Sequence, residues 1–307
     1  MPADSKQTNA RLAELIDPEA RPELLGSGFQ VTEGPAWDPR TGHLYFSDIP
    51  ADVRWRWSEA DGMEEVMRPN YKGDGLVVDA EGNLLVCEHV TSCVSRFRPS
   101  GEREVIAFHT GGKYLNSPND IVTRGADGSI YFTDPDYGRH NDFIGIKREP
   151  ELGYKGVYRV PKEGGGEAEL LVDPEEFDQP NGICFSPDET LLYVNDSPRD
   201  HVKVFDVEPD GTLSNGRVFH EGIGTGESSD GTVDGQKCDA LGNLWVTGPR
   251  GIWVIDPSGG LIGVVEIPDR PLNHVWGGDD YRMLYVACLT TVCRIPTLVA
   301  SAPLPYH

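Results

Sequence analysis

Six side chains able to offer an oxygen ligand stand at the same place in a repeating pattern along this chain: Glu33, Asp74, Asn119, Asn181, Asp234 and Asn273. Gathered in one ring, three carboxylates and three amides would favour a hard cation, Ca²⁺ first and Mg²⁺ or Mn²⁺ after. The set holds no thiolate and no imidazole other than the neighbouring His274. The competing reading has these groups bonding only to one another and to trapped water, as buried polar groups do. Three like charges make that arrangement costly without a counter-ion, so metal binding is the stronger reading.

Residues so far apart need a repeated element to bring them together. Each is followed by a short apolar strand, a Gly/Asp turn and a second strand of shared shape: GHLYFSD, GNLLVCEH, GSIYFTD, LLYVND, GNLWVTG and MLYVAC. The spacing, roughly 40 to 60 residues, suits one propeller blade with insertions. Third strands follow (VRWRW, CVSRFRP, GVYRVPK, HVKVFDV, GIWVIDP, TVCRIP), rich in β-branched and aromatic residues. Fourth strands read EEVMRP, EVIAFHT, AELLVDP, GRVFHE and LIGVVEIP, one short of six. The stretch at 22–28, PELLGSG, is expected to supply the missing strand and close the circle, leaving only short edges. The expectation is an all-β, six-bladed β-propeller with four antiparallel strands per blade. It is read as a single domain over 1–307, with blades beginning near 33, 74, 119, 181, 234 and 273.

Composition limits the partners. With 27 basic against 50 acidic residues the net charge is −23, which repels nucleic acid and anionic membrane surfaces. The N-terminal MPADSKQTNARLAELIDPEA has no apolar core, and no stretch approaches the ~20 apolar residues of a membrane span. A soluble, cytoplasmic monomer or homodimer is expected. The six cysteines fall mostly in strands and read as reduced, buried thiols.

If the ring residues open innermost strands at one face, the loops between second and third strands return to that face. They carry Asp48, Glu88, His89, Asp134, Tyr137, Asp196, Arg199, Pro249, Arg250 and Thr290 as a second tier of candidates. Asp38, Asp79, Asp188 and Asp239 belong to turns at the opposite face and read as turn formers. Trp55 and Trp57 read as packing between blades.

In combination, VTEGPAWD, NSPNDIV, FTDPDYG, QPNGICFSPD, NGRVF and VDGQKCD resemble the senescence-marker protein/gluconolactonase/regucalcin-like family from about Glu33 to Ile295. The resemblance implies a divalent metal in the central channel, Ca²⁺ first with Zn²⁺, Mg²⁺ or Mn²⁺ as alternatives. It assigns the metal to Glu33, Asn181 and Asp234, with Asn119 a further ligand or substrate contact and Asp120 a support. The implied reaction is hydrolysis of a sugar-type lactone: the cation polarises the carbonyl and a carboxylate activates water. Asp234 is the preferred base and Asp120 the alternative.

Substrate contacts are read at Asn119, Asp74, His89, Tyr137 and Arg199, the last three able to donate hydrogen bonds to sugar hydroxyls or to a carboxylate. The segment 137–154 reads as a lid or as a blade insertion. Two departures from the family stand out. Ser117 occupies the place of a substrate-binding Arg in regucalcin-like members, and Asp74 replaces an Asn common in bacterial lactonases. Competing functions are an organophosphate hydrolase on the same calcium site and a noncatalytic calcium-binding protein.

Overall fold

A computed structural model describes residues 10–224 and 231–302; the first nine positions, and with them part of the expected N-terminal reading, lie outside the described residues. The chain forms six sheets arranged as propeller blades. β1 (Glu23–Ser27) precedes blade one, which comprises β2 (Thr32–Asp38), β3 (His43–Asp48), β4 (Val53–Ser58) and β5 (Gly62–Met67). Blade two comprises β6 (Gly73–Val78), β7 (Leu84–Glu88), β8 (Cys93–Phe97) and β9 (Arg103–Thr110), with a two-residue extension β10 (Lys113–Tyr114). Blade three has β11 (Ile121–Thr123), β12 (Ile130–Asp134) and β13 (Gly156–Val160).

After the pair β14 (Gly166–Glu167) and β15 (Glu169–Leu170), blade four holds β16 (Pro180–Phe185), β17 (Leu191–Asp196), β18 (His201–Val207) and β19 (Leu213–Glu221). Blade five holds β20 (Gln236–Cys238), β21 (Leu244–Gly248), β22 (Gly251–Ile255) and β23 (Leu261–Glu266). Blade six holds β24 (Pro271–Gly277), β25 (Met283–Cys288) and β26 (Thr291–Pro296). Its fourth strand is β1, antiparallel to β26, so the N-terminal strand closes the ring as the sequence predicts.

Blade three differs from the sequence expectation. AELLVDP contributes only Glu169 and Leu170 as the outer strand, while Gly166 and Glu167 pair in parallel with β9 of blade two. The segment between these short pieces is therefore shared across the boundary between two blades.

Aromatic contacts bind neighbouring blades where the alternating apolar faces meet. Trp245 meets Trp276 at 5.3 Å, Tyr131 meets Phe185 at 5.0 Å, and Trp37 stacks on Tyr285 at 5.2 Å. Trp57 is buried against Tyr285 and Trp55 lies against Phe29, so both tryptophans pack between blades. All six cysteines are buried and unbridged.

Two local devices turn the inner strands into a site. Four of them carry a bulge near the ring residue: the register slips between Glu33 and Ala36, Gly73 and Leu76, Pro180 and Ile183, and Pro271 and Asn273. A bulge adds an unpaired residue and re-aims side chains. The second device is glycine directly after the ring residue. A Cβ on Gly182 would stand 2.2 Å from the carbonyl oxygen of Asp234, and one on Gly75 would stand 2.4 Å from that of Asn119. Only a residue without a side chain lets adjacent inner strands approach this closely.

Candidate active site

Four acids from four blades converge at one mouth of the channel: Glu33, Asp74, Asp120 and Asp234. Glu33, Asp74 and Asp120 are buried, and Asp234 is half-buried. Burial pushes the Glu33 carboxyl well above its ordinary pKa, and the charges of Asp234, Asp74 and Asp120 push the same way; the Gly34 N–H, donating at 2.8 Å, opposes them. Asp234 is likewise raised well above its ordinary value, by burial and then by Asp74, against the opposing charge of Arg270. Glu33, Asp74 and Asp234 are each made harder to ionise by neighbouring acid charges, and a cation among them would relieve that repulsion.

The amides are directed by their neighbours. Asn119 Nδ2 donates to Asp74 Oδ2 at 2.6 Å, so its amide nitrogen is taken and its oxygen is the atom that could serve a ligand. His89 Nε2 lies 2.9 Å from that same Asp74 oxygen, while its Nδ1 is 2.8 Å from the carbonyl oxygen of Ile144. A carbonyl can only accept, so Nδ1 carries a proton and Nε2 is the nitrogen turned toward Asp74. Asn181 Nδ2 donates to Ser197 Oγ at 3.0 Å, and Ser197 Oγ donates onward to the carbonyl of Val233 at 2.7 Å. The Tyr137 hydroxyl bonds the same serine and feels the charge of Asp234.

Among the described residues no group of three or more His, Cys, Asp and Glu side chains is disposed to hold a metal ion. The donors gathered here are of mixed type, two carboxylates (Glu33, Asp234) with two amides (Asn181, Asn119). Their oxygens and the mutual repulsion of the acids suit a hard divalent cation.

The residues expected at the site separate into those that converge on it and those engaged elsewhere. Glu33, Asp74, Asn119, Asn181, Asp234 and Tyr137 are brought together. Asp120 lies among them, but its carboxylate is occupied: Oδ1 accepts from Ile121 N at 2.9 Å, Oδ2 from Ile183 N at 3.2 Å, and Lys237 Nζ is 3.6 Å away. His89, read from sequence as a substrate donor, is buried with both ring nitrogens turned to protein atoms, so it reaches the site only through Asp74. Arg199 is turned onto the segment entering its blade, donating to the Glu176 carbonyl at 2.9 Å and lying 3.5 Å from both Asp178 and Asp196.

The second-tier acids also have structural employment. Asp48 accepts from the backbone N–H groups of Gln30 and Val31, Asp134 from that of Asn116, and Asp196 from those of Asp178 and Gln179. Each thereby ties the chain entering its blade to the end of the second strand. Glu88, fully enclosed, binds Ser95 and Arg103. At the far face Asp38, Asp79, Asp188 and Asp239 accept from turn N–H groups, as expected of turn formers.

Three residues escaped the sequence reading. Ser197 links Asn181, Tyr137 and Val233, and its place in a rim loop was the available signal. Arg139 is buried and donates to the carbonyls of Asn116 and His89; Gly138 N donates to Ser117 Oγ at 3.0 Å. The short helix Tyr137–His140 thus fills the space beside Ser117, which explains why no large side chain stands at 117. Arg270 precedes Pro271 outside any repeated motif, and nothing in the pattern marks it. The segment that follows the helix lies over blade two, with Lys72 Nζ donating to the Phe143 carbonyl at 2.8 Å.

Comparison with known proteins agrees with this architecture. A family profile described as SMP-30/Gluconolactonase/LRE-like region matches residues 31–290. The chain is 30% identical to a gluconolactonase of Zymomonas mobilis subsp. mobilis over 94% of its own length and 84% of that protein's. It is 25% identical to a 6-deoxy-6-sulfogluconolactonase of Pseudomonas putida, over 87% of this chain and 84% of that one. The solved structure of a gluconolactonase from Xanthomonas campestris superposes with a TM-score of 0.84 at 30% identity, covering 94% of this chain and 92% of the other.

Proposed function

The chain belongs to the SMP-30/gluconolactonase/LRE-like family, and from that premise we propose that it hydrolyses a sugar lactone to the open hydroxy acid with the help of a divalent cation, Ca²⁺ first. The observation that carries the cation and the chemistry to this mouth is the convergence of Glu33 and Asp234, whose charges act on each other, with Asn181 and Asn119. Those four residues would hold the ion. A bound cation would polarise the lactone carbonyl and favour charge developing on its oxygen.

The chain's own groups do the rest. Asp234 is the half-open carboxylate and, ionised beside the cation, takes the proton from the attacking water. Asp120 is the weaker candidate because two backbone N–H groups occupy its oxygens and Lys237 lies alongside. Asp74, braced by His89, fixes the rotation of Asn119. Tyr137, at the mouth beside Asp234, is placed to meet a sugar hydroxyl. No helix among the described residues is long and apolar enough to cross a membrane.

The test is acid release from glucono-1,5-lactone by chelator-treated protein, before and after Ca²⁺ is restored, corrected for spontaneous opening. A rate that returns with Ca²⁺ supports the proposal. Equal rates in both samples would remove the cation from the mechanism, and no rate above background on a panel of five- and six-membered sugar lactones would remove the activity.

A further inference from the structure

Acidic groups dominate the mouth, yet one guanidinium reaches it with a donor to spare. Arg270 lies between β23 and β24, and its backbone is pinned. Its N–H donates to Asp269 Oδ1 at 2.8 Å, and its carbonyl accepts from Leu289 N at 2.8 Å. Asp269 in turn holds Thr290 N and Thr291 Oγ1, each at 2.9 Å. From this anchored position the side chain reaches across to blade five, where Nε lies 3.5 Å from the point a Cβ on Gly231 would occupy. Its charge acts on Asp234. Nε is enclosed and has no hydrogen-bond partner among the described residues.

Three other cations on this side are committed. Lys237 lies against Asp120, Arg199 against Asp178 and Asp196, and Arg139 against two carbonyls. An enclosed N–H without an acceptor is unfavourable until something supplies one, and a guanidinium takes a planar or tetrahedral anion two-pronged.

We propose that Arg270 receives an anionic group of the bound molecule, either the carboxylate that lactone opening creates or an acidic substituent (carboxylate, phosphate or sulfonate) on the sugar. The chemical identity of that molecule rests on the lactonase reading; anion binding by Arg270 does not.

The experiment compares the Ca²⁺-loaded wild type with Arg270→Gln and Arg270→Lys. Calorimetry measures binding of gluconate and of 6-phosphogluconate, and kinetics measure kcat/KM on glucono-1,5-lactone and its 6-phosphate. Arg270→Gln is expected to weaken anion binding about 10- to 100-fold, the span of one or two charge-assisted hydrogen bonds, with part of the loss recovered by Arg270→Lys. Equal weakening of both anions assigns the contact to the shared carboxylate. Weakening confined to the phosphorylated ligand, with kcat/KM falling more on the 6-phosphate than on the neutral lactone, assigns it to the substituent. If the wild type opens no lactone but Arg270→Gln still loses anion affinity, the lactonase reading fails and this inference stands. Failure of the wild type to bind either anion overturns it, as does unaltered anion affinity in both variants.

Discussion

Asn119 shows how one side chain's usefulness is set by two others. Asp74 takes its amide nitrogen, and His89, fixed by the Ile144 carbonyl, holds Asp74 in place. Partners that orient a ligand in this way typically matter 10- to 100-fold for metal affinity or activity. Asp74→Ala and His89→Ala are therefore each expected to lower Ca²⁺ affinity or kcat/KM by about that factor, read by calcium titration and initial rates. Asp234→Asn should cost more, roughly 10²- to 10⁴-fold in kcat, because it removes the base. Asp134 makes a different prediction. Burial raises its pKa to about 7, with donation from the Asn116 N–H opposing. Folded protein keeps this proton where unfolded chain has lost it. The stability it contributes is thus complete below the ordinary value near 3.8 and is lost as pH rises through about 7. Asp134→Asn keeps an acceptor for the Asn116 N–H and should flatten that part of the Tm-against-pH curve; parallel curves for variant and wild type would refute the assignment. Residue type and spacing made the ring readable in the sequence. They could not separate Asp134 from a site residue, since both stand at the same mouth and only the partner differs.

At the level of strands, the site depends on how closely inner strands approach the axis. Gly182 stands where a Cβ would meet the Asp234 carbonyl at 2.2 Å, so Gly182→Ala must push blades four and five apart. Overpacking of this kind costs about 1–3 kcal/mol, and here it also displaces Asn181 and Asp234. Gly153→Ala is the control, because an added Cβ there meets nothing within 4 Å. Gly182→Ala should lower Tm by several degrees and reduce kcat together, and Gly153→Ala neither. The blade pattern was readable because strands two and three repeat in length and composition, and the closing strand followed from counting one fourth strand too few. Blade three misled because AELLVDP has the composition of a strand but pairs only through Glu169 and Leu170, while the two residues just before it, Gly166 and Glu167, pair with blade two, an outcome set by contacts across a blade boundary. Arg270 and the Arg139 contacts were hidden for a related reason: they join segments far apart in sequence and belong to no repeat.

Over the whole molecule, closure of the ring and the charge at its centre are two sides of one balance. Each inner strand contributes packing at the axis, and several also deliver a polar group there, so the channel concentrates repulsion where the blades meet. A net charge of −23 adds to that repulsion. The metal-free fold answers by keeping protons on Glu33 and Asp234, whose carboxyls are raised well above their ordinary values. A divalent ion that replaces those protons binds the folded ring and has no comparable site in the unfolded chain. It therefore stabilises by mass action, about 2.7 kcal/mol when free ion is at a hundred times its Kd. Because binding must expel protons, the gain has a definite pH dependence. Between the ordinary and the raised carboxyl values the acids hold their protons and compete with the ion; as pH rises further they compete less. Added Ca²⁺ should accordingly raise Tm more at about pH 8 than at about pH 5, and Glu33→Gln should reduce the gain at the higher pH. Thermal melts with chelator and with Ca²⁺ at the two pH values decide it. A Tm gain independent of pH and untouched by Glu33→Gln would mean that calcium binds somewhere other than between these acids.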